Sequence, residues 1–150
     1  MKAITLTQPW ATLVAIGAKK IETRSWNTNY RGSLAIHAAK GFPQDAQHIC
    51  FKVPFRDYLC DYVALNETYL GKHKFPLGAV IATCELINVV RITPFHEHRL
   101  PKEPEYSFGD YSTGRYMWLL ENVVALPEPI PTKGAPGLWD CILSTERIDL

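Results

Sequence analysis

The chain has 150 residues, 47% hydrophobic and 21% charged, which suffices for one domain with its own core and argues against long disorder. Sixteen basic against fifteen acidic residues leave a net charge of +1. That balance excludes the overall electrostatic attraction on which long-duplex binding rests, although a local basic cleft stays open. Cys50, Cys60, Cys84 and Cys141 lack metal-ligand spacing and read as free, mostly buried thiols of a reducing compartment. The first residues lack a signal-peptide core, and no apolar run is long enough for a bilayer, so a cytoplasmic protein without membrane contact is expected.

Lys2–Leu6 alternates weakly and predicts a first strand. Thr7-Gln8-Pro9 opens a helix, with Thr7 or Gln8 at the cap and Pro9 in the first turn. Trp10, Leu13, Val14 and Gly17 share one face, and Gly17 ends the helix. Lys19–Trp26 predicts a second strand, with Lys20, Glu22, Arg24 and Trp26 on one side and Ile21, Thr23 and Ser25 on the other. Lys19 joins the first set only if the turn before it bends it round. Asn27–Gly32 is turn-like, and Ser33–Ala39 predicts a third strand. A helical region starts at Pro43, breaks near Pro54 and runs to about Asn66. Gly78–Ile92 is the clearest strand, apolar enough for burial on both faces. Thr93–Ser107 is an irregular excursion, and Arg115–Leu126 is a further strand. Pro127, Pro129 and Pro131 make an extended connection to a last strand at Gly137–Leu143, with Ser144–Leu150 as a frayed or edge segment. Six strands with two helical insertions predict a single α+β domain over 1–150, a small mixed β-barrel flanked by helices.

Two clusters could carry chemistry. In the first, Lys19, Glu22 and Arg24 combine an amine, a carboxylate and a guanidinium, and Trp26 offers a stacking surface. The plain alternative is a solvated, salt-bridged strand. The second runs from Phe108 to Trp118. Asp110 and Ser112 can bond a base edge there, and Tyr111, Tyr116 and Trp118 are flat surfaces of the kind that hold unstacked bases. Its alternative is a turn entering a core strand. Glu103 and Glu105 precede it, and a carboxylate beside a partly dry lysine is a usable acid–base pair. Five histidines are scattered at His37, His48, His73, His96 and His98. His96 and His98 would share a strand face, but no third ligand stands near, so no metal or cofactor is expected.

Gly17-x-Lys19-x-x-Glu22-x-Arg24 resembles the G-x-K-x-x-E-x-R signature of the ASCH family, whose fold is a PUA-like barrel. The resemblance spans nearly the whole chain: Leu6-Thr7-Gln8-Pro9-Trp10-Ala11, Tyr30-Arg31-Gly32, Ile36-His37-Ala38-Ala39-Lys40, Gly109–Trp118, and Lys133-Gly134 with Gly137-Leu138-Trp139 all fit. Relatives in that family include RNA-binding modules, ribonucleases and amidohydrolases that remove the acyl group of N4-acetylcytidine. The amidohydrolases use the motif lysine, a threonine three residues on and a downstream glutamate. By that resemblance Lys19 matches the lysine and Glu105 the glutamate, whereas Glu22 stands where the threonine would be.

The resemblance therefore implies amide hydrolysis in a small-molecule nucleoside site, and with Glu22 in the threonine position an activated water is the more economical nucleophile. Lys19 would act in a desolvated pocket or as a charged stabiliser of the oxyanion. Glu105, assisted by Glu22, would move the proton. Arg24, Trp26, Ser112, Arg115 and Tyr116 would hold the nucleoside with Asp110, and Gln8, Pro9 and Trp10 would form a wall. The alternatives are a non-catalytic RNA-binding module, with Lys40, Arg31 and Arg115 on phosphates, and a metal-independent ribonuclease. A monomer or weak dimer is expected.

Overall fold

A computed structural model describes residues 1–63, 73–96 and 99–143. The elements are β1 (Lys2–Leu6), α1 (Trp10–Ala15), β2 (Ile21–Arg24), β3 (Gly32–Ala38), α2 (Gln44–Ile49), α3 (Phe55–Leu59), β4 (Ala79–Arg91), β5 (Tyr116–Pro131) and β6 (Trp139–Asp140). Short 3-10 turns cover Pro94–His96 and Glu105–Phe108. All six strands lie in one sheet in the order β2-β5-β4-β3-β1-β6. β1 runs parallel to β3 and the other pairings are antiparallel, so the sheet is mixed and the class is α+β. The main-chain ladder is open, with β2 and β6 at its edges. Its ends nevertheless approach each other: Arg24 on β2 donates to the Thr5 carbonyl on β1 at 2.8 Å, across four places of the strand order. Strand twist coils the sheet, and a side chain bridges the gap that the backbone leaves.

The first helix shows how local chemistry aims the site. Pro9 takes the cap position rather than the first turn. Gln8 does the capping: its Oε1 accepts the Thr12 N–H at 2.9 Å, and its Nε2 donates to the Pro76 carbonyl at 3.0 Å. Gly17 sits at φ +82°, where a side chain would be strained. Beyond it, the Ala18 and Lys19 N–H groups both return to the Leu13 carbonyl, at 3.0 and 2.9 Å. That tight exit turns Lys19 inward. β2 is shorter than expected, four residues from Ile21, because the chain is still leaving this turn at Lys19 and Lys20.

The helical region from Pro43 resolves into α2 and α3 on either side of Pro54, and its expected end near Asn66 lies outside the described residues. So do His98 and Ser144–Leu150. β4 follows the expected strand and is buried over its first half. β5 departs from expectation, because it continues through Pro127 and Pro129 to Pro131. β2 pairs only with Tyr116–Leu119 of β5, so the prolines fall where that edge has no β2 neighbour asking for an N–H. β6 keeps only Trp139 and Asp140 of the expected last strand, paired with Ala3 and Lys2.

Ile4, Leu6, Leu34, Ile36 and Trp118 form the main core with Ala11 and Val14 of α1. A second cluster joins Leu13, Phe55, Leu59, Phe75 and Phe108. Phe108 stands edge-on to Phe55 at 5.0 Å between ring centroids, and this buried anchor holds the Glu105–Phe108 turn against the domain. Cys50, Cys84 and Cys141 are buried and Cys60 is exposed, all as free thiols. Burial pushes the Cys50 and Cys84 thiols up to about 12, so they are inert packing.

His37 ties the far end of the sheet together. Its Nε2 bonds the Thr132 carbonyl at 2.7 Å, its Nδ1 meets Thr5 Oγ1 at 3.0 Å, and Trp139 Nε1 donates to the same hydroxyl at 3.2 Å. A carbonyl accepts only, so Nε2 carries the proton and the Thr5 hydroxyl can donate to Nδ1. Gly134 lies on this network: a Cβ there would sit 2.6 Å from His37 Cε1 and 3.0 Å from Thr5 Oγ1. The Gly134→Ala variant is expected to lose about 1–3 kcal/mol of stability through overpacking, read as a lowered midpoint in urea unfolding. An unchanged midpoint would show that the ring can move aside.

Candidate active site

Glu22 and Arg24 lie on one face of β2, opposite Trp118 and Tyr116 of β5. Arg24 Nη2 meets Glu22 Oε2 at 3.0 Å, and Lys19 Nζ meets Glu22 Oε1 at 3.4 Å. Lys19 is fully buried, and its ammonium also donates to the Ile21 carbonyl. The turn after Gly17 therefore does bend Lys19 round to the Glu22 side. A charge so far from water needs close partners, and Glu22 with the Ile21 carbonyl supplies them.

Glu105 reaches the same corner from the loop before β5. Its Oε1 accepts the Lys20 N–H at 2.6 Å, while its Oε2 is buried without a hydrogen-bond partner. Burial raises the Glu105 pKa above the ordinary carboxyl range. The Lys20 and Ile21 amides and the Lys19 and Lys20 charges oppose that shift without cancelling it. The Tyr111 hydroxyl is likewise buried and unpartnered. Burial above all, then the charges of Glu105 and Glu22, makes it harder to ionise. Lys19, Glu22, Glu105 and Tyr111 thus form one coupled electrostatic group.

A cleft of about 340 Å³ opens beside this group, lined by Trp10, Glu22, Thr23, Phe108, Gly109 and Asp110 among others. Trp10 forms a wall and stands edge-on to Phe55 at 6.1 Å. The loop rim is stapled to β2: Thr23 Oγ1 accepts the Asp110 N–H at 3.0 Å, and Arg115 donates to the Asp110 carbonyl at 3.1 Å and the Thr23 carbonyl at 3.2 Å. Gly109 permits this approach, since a Cβ there would lie 2.9 Å from the Tyr111 ring and 3.1 Å from Thr23 Cγ2. The Ser112 hydroxyl donates to Asp110, and this bond leads the causes that hold the Asp110 carboxyl below its usual range.

Of the residues singled out in the sequence, the structure gathers Lys19, Glu22, Arg24 and Glu105 in one corner, with Trp10 and Asp110 on the cleft. Gln8 is fully buried with both amide atoms engaged inside the protein, and Pro9 occupies the cap position of α1 beside it. Trp26 packs edge-on against Trp118 at 4.8 Å, and Tyr116 packs on the main core. Arg115 and Ser112 brace the loop. Thr23 lines the cleft and Tyr111 feels the charges of Glu105 and Glu22; the sequence marks Tyr111 only as one flat surface of the aromatic loop and gives Thr23 no role. Thr23 has the strand parity opposite to Glu22, which hid its role as loop anchor. Tyr111 sat in the aromatic loop, but nothing in the sequence separated it from its neighbours. Among the described residues no group of three His, Cys, Asp or Glu could hold a metal ion, and no helix is long and apolar enough to cross a membrane.

A coiled mixed sheet with a Lys-Glu-Arg corner at the exit of its first helix defines a small α+β domain of PUA-like type. The chain belongs to the ASCH domain family, whose profile matches residues 4–129. It is similar to activating signal cointegrator 1 of Mus musculus (28% identity over 141 residues) and of Homo sapiens (28% over 138). Each alignment covers 91% of this chain and 21% of the relative, so the chain spans about a fifth of their length. The fold is shared with an ASCH protein from Zymomonas mobilis, with TM-score 0.51 at 15% identity over 99% of this chain and 90% of that one. A point mutant of that protein gives 0.53 at 16% identity, over 99% and 93%.

Proposed function

We propose that the chain is an amidohydrolase that removes the acyl group from N4-acylcytosine nucleosides in the cleft beside Lys19, Glu22 and Glu105. The observation that carries this reading is Glu105: a carboxyl group with raised proton affinity and a buried, unpartnered oxygen, held by the Lys20 N–H within the field of the buried Lys19. A carboxyl group tuned toward neutrality can both accept and return a proton. Water attacks the amide carbonyl and gives its proton to Glu105. The tetrahedral intermediate then collapses, the C–N bond breaks, and the same proton passes to the departing N4 amine. The products are a carboxylic acid and a cytosine nucleoside, with no redox change.

Complete burial gives Lys19 a role other than contact with substrate. It orients Glu22 and sets the field at Glu105, so it is a positioning residue. Glu22, on the cleft wall and held by Lys19 and Arg24, faces the reacting amide. Trp10 offers an aromatic surface for the base. Incubation of the pure protein with N4-acetylcytidine is expected to release cytidine, followed by chromatography. Folded protein at high concentration that yields none removes the proposal.

A further inference from the structure

The two carboxylates on the lining of the cleft beside Lys19 differ in depth. Glu22 is the inner one, with 13% of its side chain exposed, and Asp110 the outer, with 59%. Thr23 follows Glu22 in β2 and accepts the Asp110 N–H at 3.0 Å, so one short strand sets both acids. Glu22 is taken up by Lys19 and Arg24. Asp110 is engaged on one side only. Its Oδ1 accepts the Ser112 N–H at 3.1 Å and the Ser112 hydroxyl, whereas its Oδ2 has Arg115 Nε at 3.5 Å. That nitrogen already donates to the Asp110 carbonyl at 3.1 Å. The Ser112 bonds keep the carboxyl ionised at neutral pH. An ionised carboxylate only accepts, so the mouth of the cleft presents an acceptor with spare lone pairs. Among the described residues no cation stands on this lining.

Ligand chemistry sets the direction of binding. In a cytosine nucleoside, the exocyclic amine and the glycosidic bond leave opposite sides of the ring. With the acyl amide inside at Glu22 and the base on Trp10, the sugar points out to the rim, where Asp110 stands. A ribose offers its adjacent 2′ and 3′ hydroxyls there, and both can donate to one carboxylate. Acidic side chains grip ribose hydroxyls in the same way in dinucleotide sites. We infer that Asp110 is the sugar-specificity residue of this cleft, accepting the 2′ and 3′ hydroxyls of a ribonucleoside through Oδ2. It meets the sugar rather than the base edge that its loop suggested. The inference rests on the deacylation reading for the direction of the base, and goes beyond it in selecting a ribonucleoside over a nucleoside without those hydroxyls.

The test compares kcat/KM of the whole chain on N4-acetylcytidine and on N4-acetyl-2′,3′-dideoxycytidine, for the wild type and Asp110→Asn. Asparagine keeps Oδ1 for Ser112 and puts a donating amide where Oδ2 accepted, and circular dichroism checks the fold. The wild type is expected to prefer the ribonucleoside about tenfold or more, and Asp110→Asn to retain a preference of about threefold or less, as fits bonds to a charged acceptor. A residue that only braces the loop would lower both substrates together and leave the ratio unchanged. A second arm needs no turnover: calorimetric binding of cytidine and 2′,3′-dideoxycytidine to the same two proteins should show the same preference and the same loss. A binding preference that Asp110→Asn erases, without any hydrolysis, keeps the sugar site and removes the deacylation reading. Hydrolysis with no sugar preference overturns the inference and leaves that reading standing. A preference that survives in the folded variant, or equal binding of the two nucleosides, also overturns it.

Discussion

Glu105→Gln is expected to cut deacylation by a factor on the order of 10²–10⁴, the usual cost of removing a general acid–base group, while leaving the fold at least as stable near neutral pH. Glutamine keeps an oxygen to accept the Lys20 N–H, so the loop stays docked. The sign of the stability effect follows from the raised pKa. In the unfolded chain this carboxyl ionises near its ordinary value of 4.5, while in the folded protein burial holds the proton to higher pH. Its contribution is therefore fully present below 4.5 and is lost as pH rises through the folded value. The neutral amide has no such loss. Melting temperatures of variant minus wild type, taken from about pH 4 to about pH 8, should rise with pH. A variant that keeps its turnover would show that Glu105 does not move the proton. A flat temperature difference would show that burial does not strain its charge.

Much of the fold was legible because each element carried its own punctuation. Gly17 marked the end of α1, Pro54 the break between α2 and α3, and the β-branched run before Ile92 the long β4. What escaped depended on neighbours. The prolines near the end of β5 read as a linker, since a proline inside a strand is tolerable only where no partner needs its N–H, and that is a property of sheet order. The last strand was overestimated because only Trp139 and Asp140 find partners on β1.

The site divides in the same way. Lys19, Glu22 and Arg24 were visible as a spaced set of charges. Bringing Lys19 to Glu22 required the turn after Gly17, which sequence parity alone argued against. Glu105 sits 86 positions beyond Lys19 in the numbering, and what seats it is Phe108, three residues on, buried against Phe55. Gln8, Trp26 and Tyr116 have the chemistry of ligand-binding residues, but Gln8 is wholly buried and Trp26 and Tyr116 are half-buried against the core. Polar or aromatic character cannot reveal which partners are already taken.

Lys19→Met is the second large effect. Methionine fills similar space but cannot donate to the Ile21 carbonyl or meet the Glu22 charge. Breaking a buried pair from one side costs about 3–5 kcal/mol, which for a domain of this size lowers the melting temperature by roughly 6–20 °C. Adding Glu22→Gln removes the carboxylate that has lost one of its two cationic partners, Arg24 being the other, so the double variant should recover part of the loss. A coupling of at least about 1 kcal/mol between the two sites, measured by urea unfolding of both singles and the double, is expected for residues in contact. Below the melting transition, Lys19→Met should also lower kcat for N4-acetylcytidine with little change in KM, as fits a group that orients Glu22 without touching substrate. Additive single effects would mean that the amine and Glu22 act separately. A KM rise with kcat intact would place Lys19 in substrate binding instead.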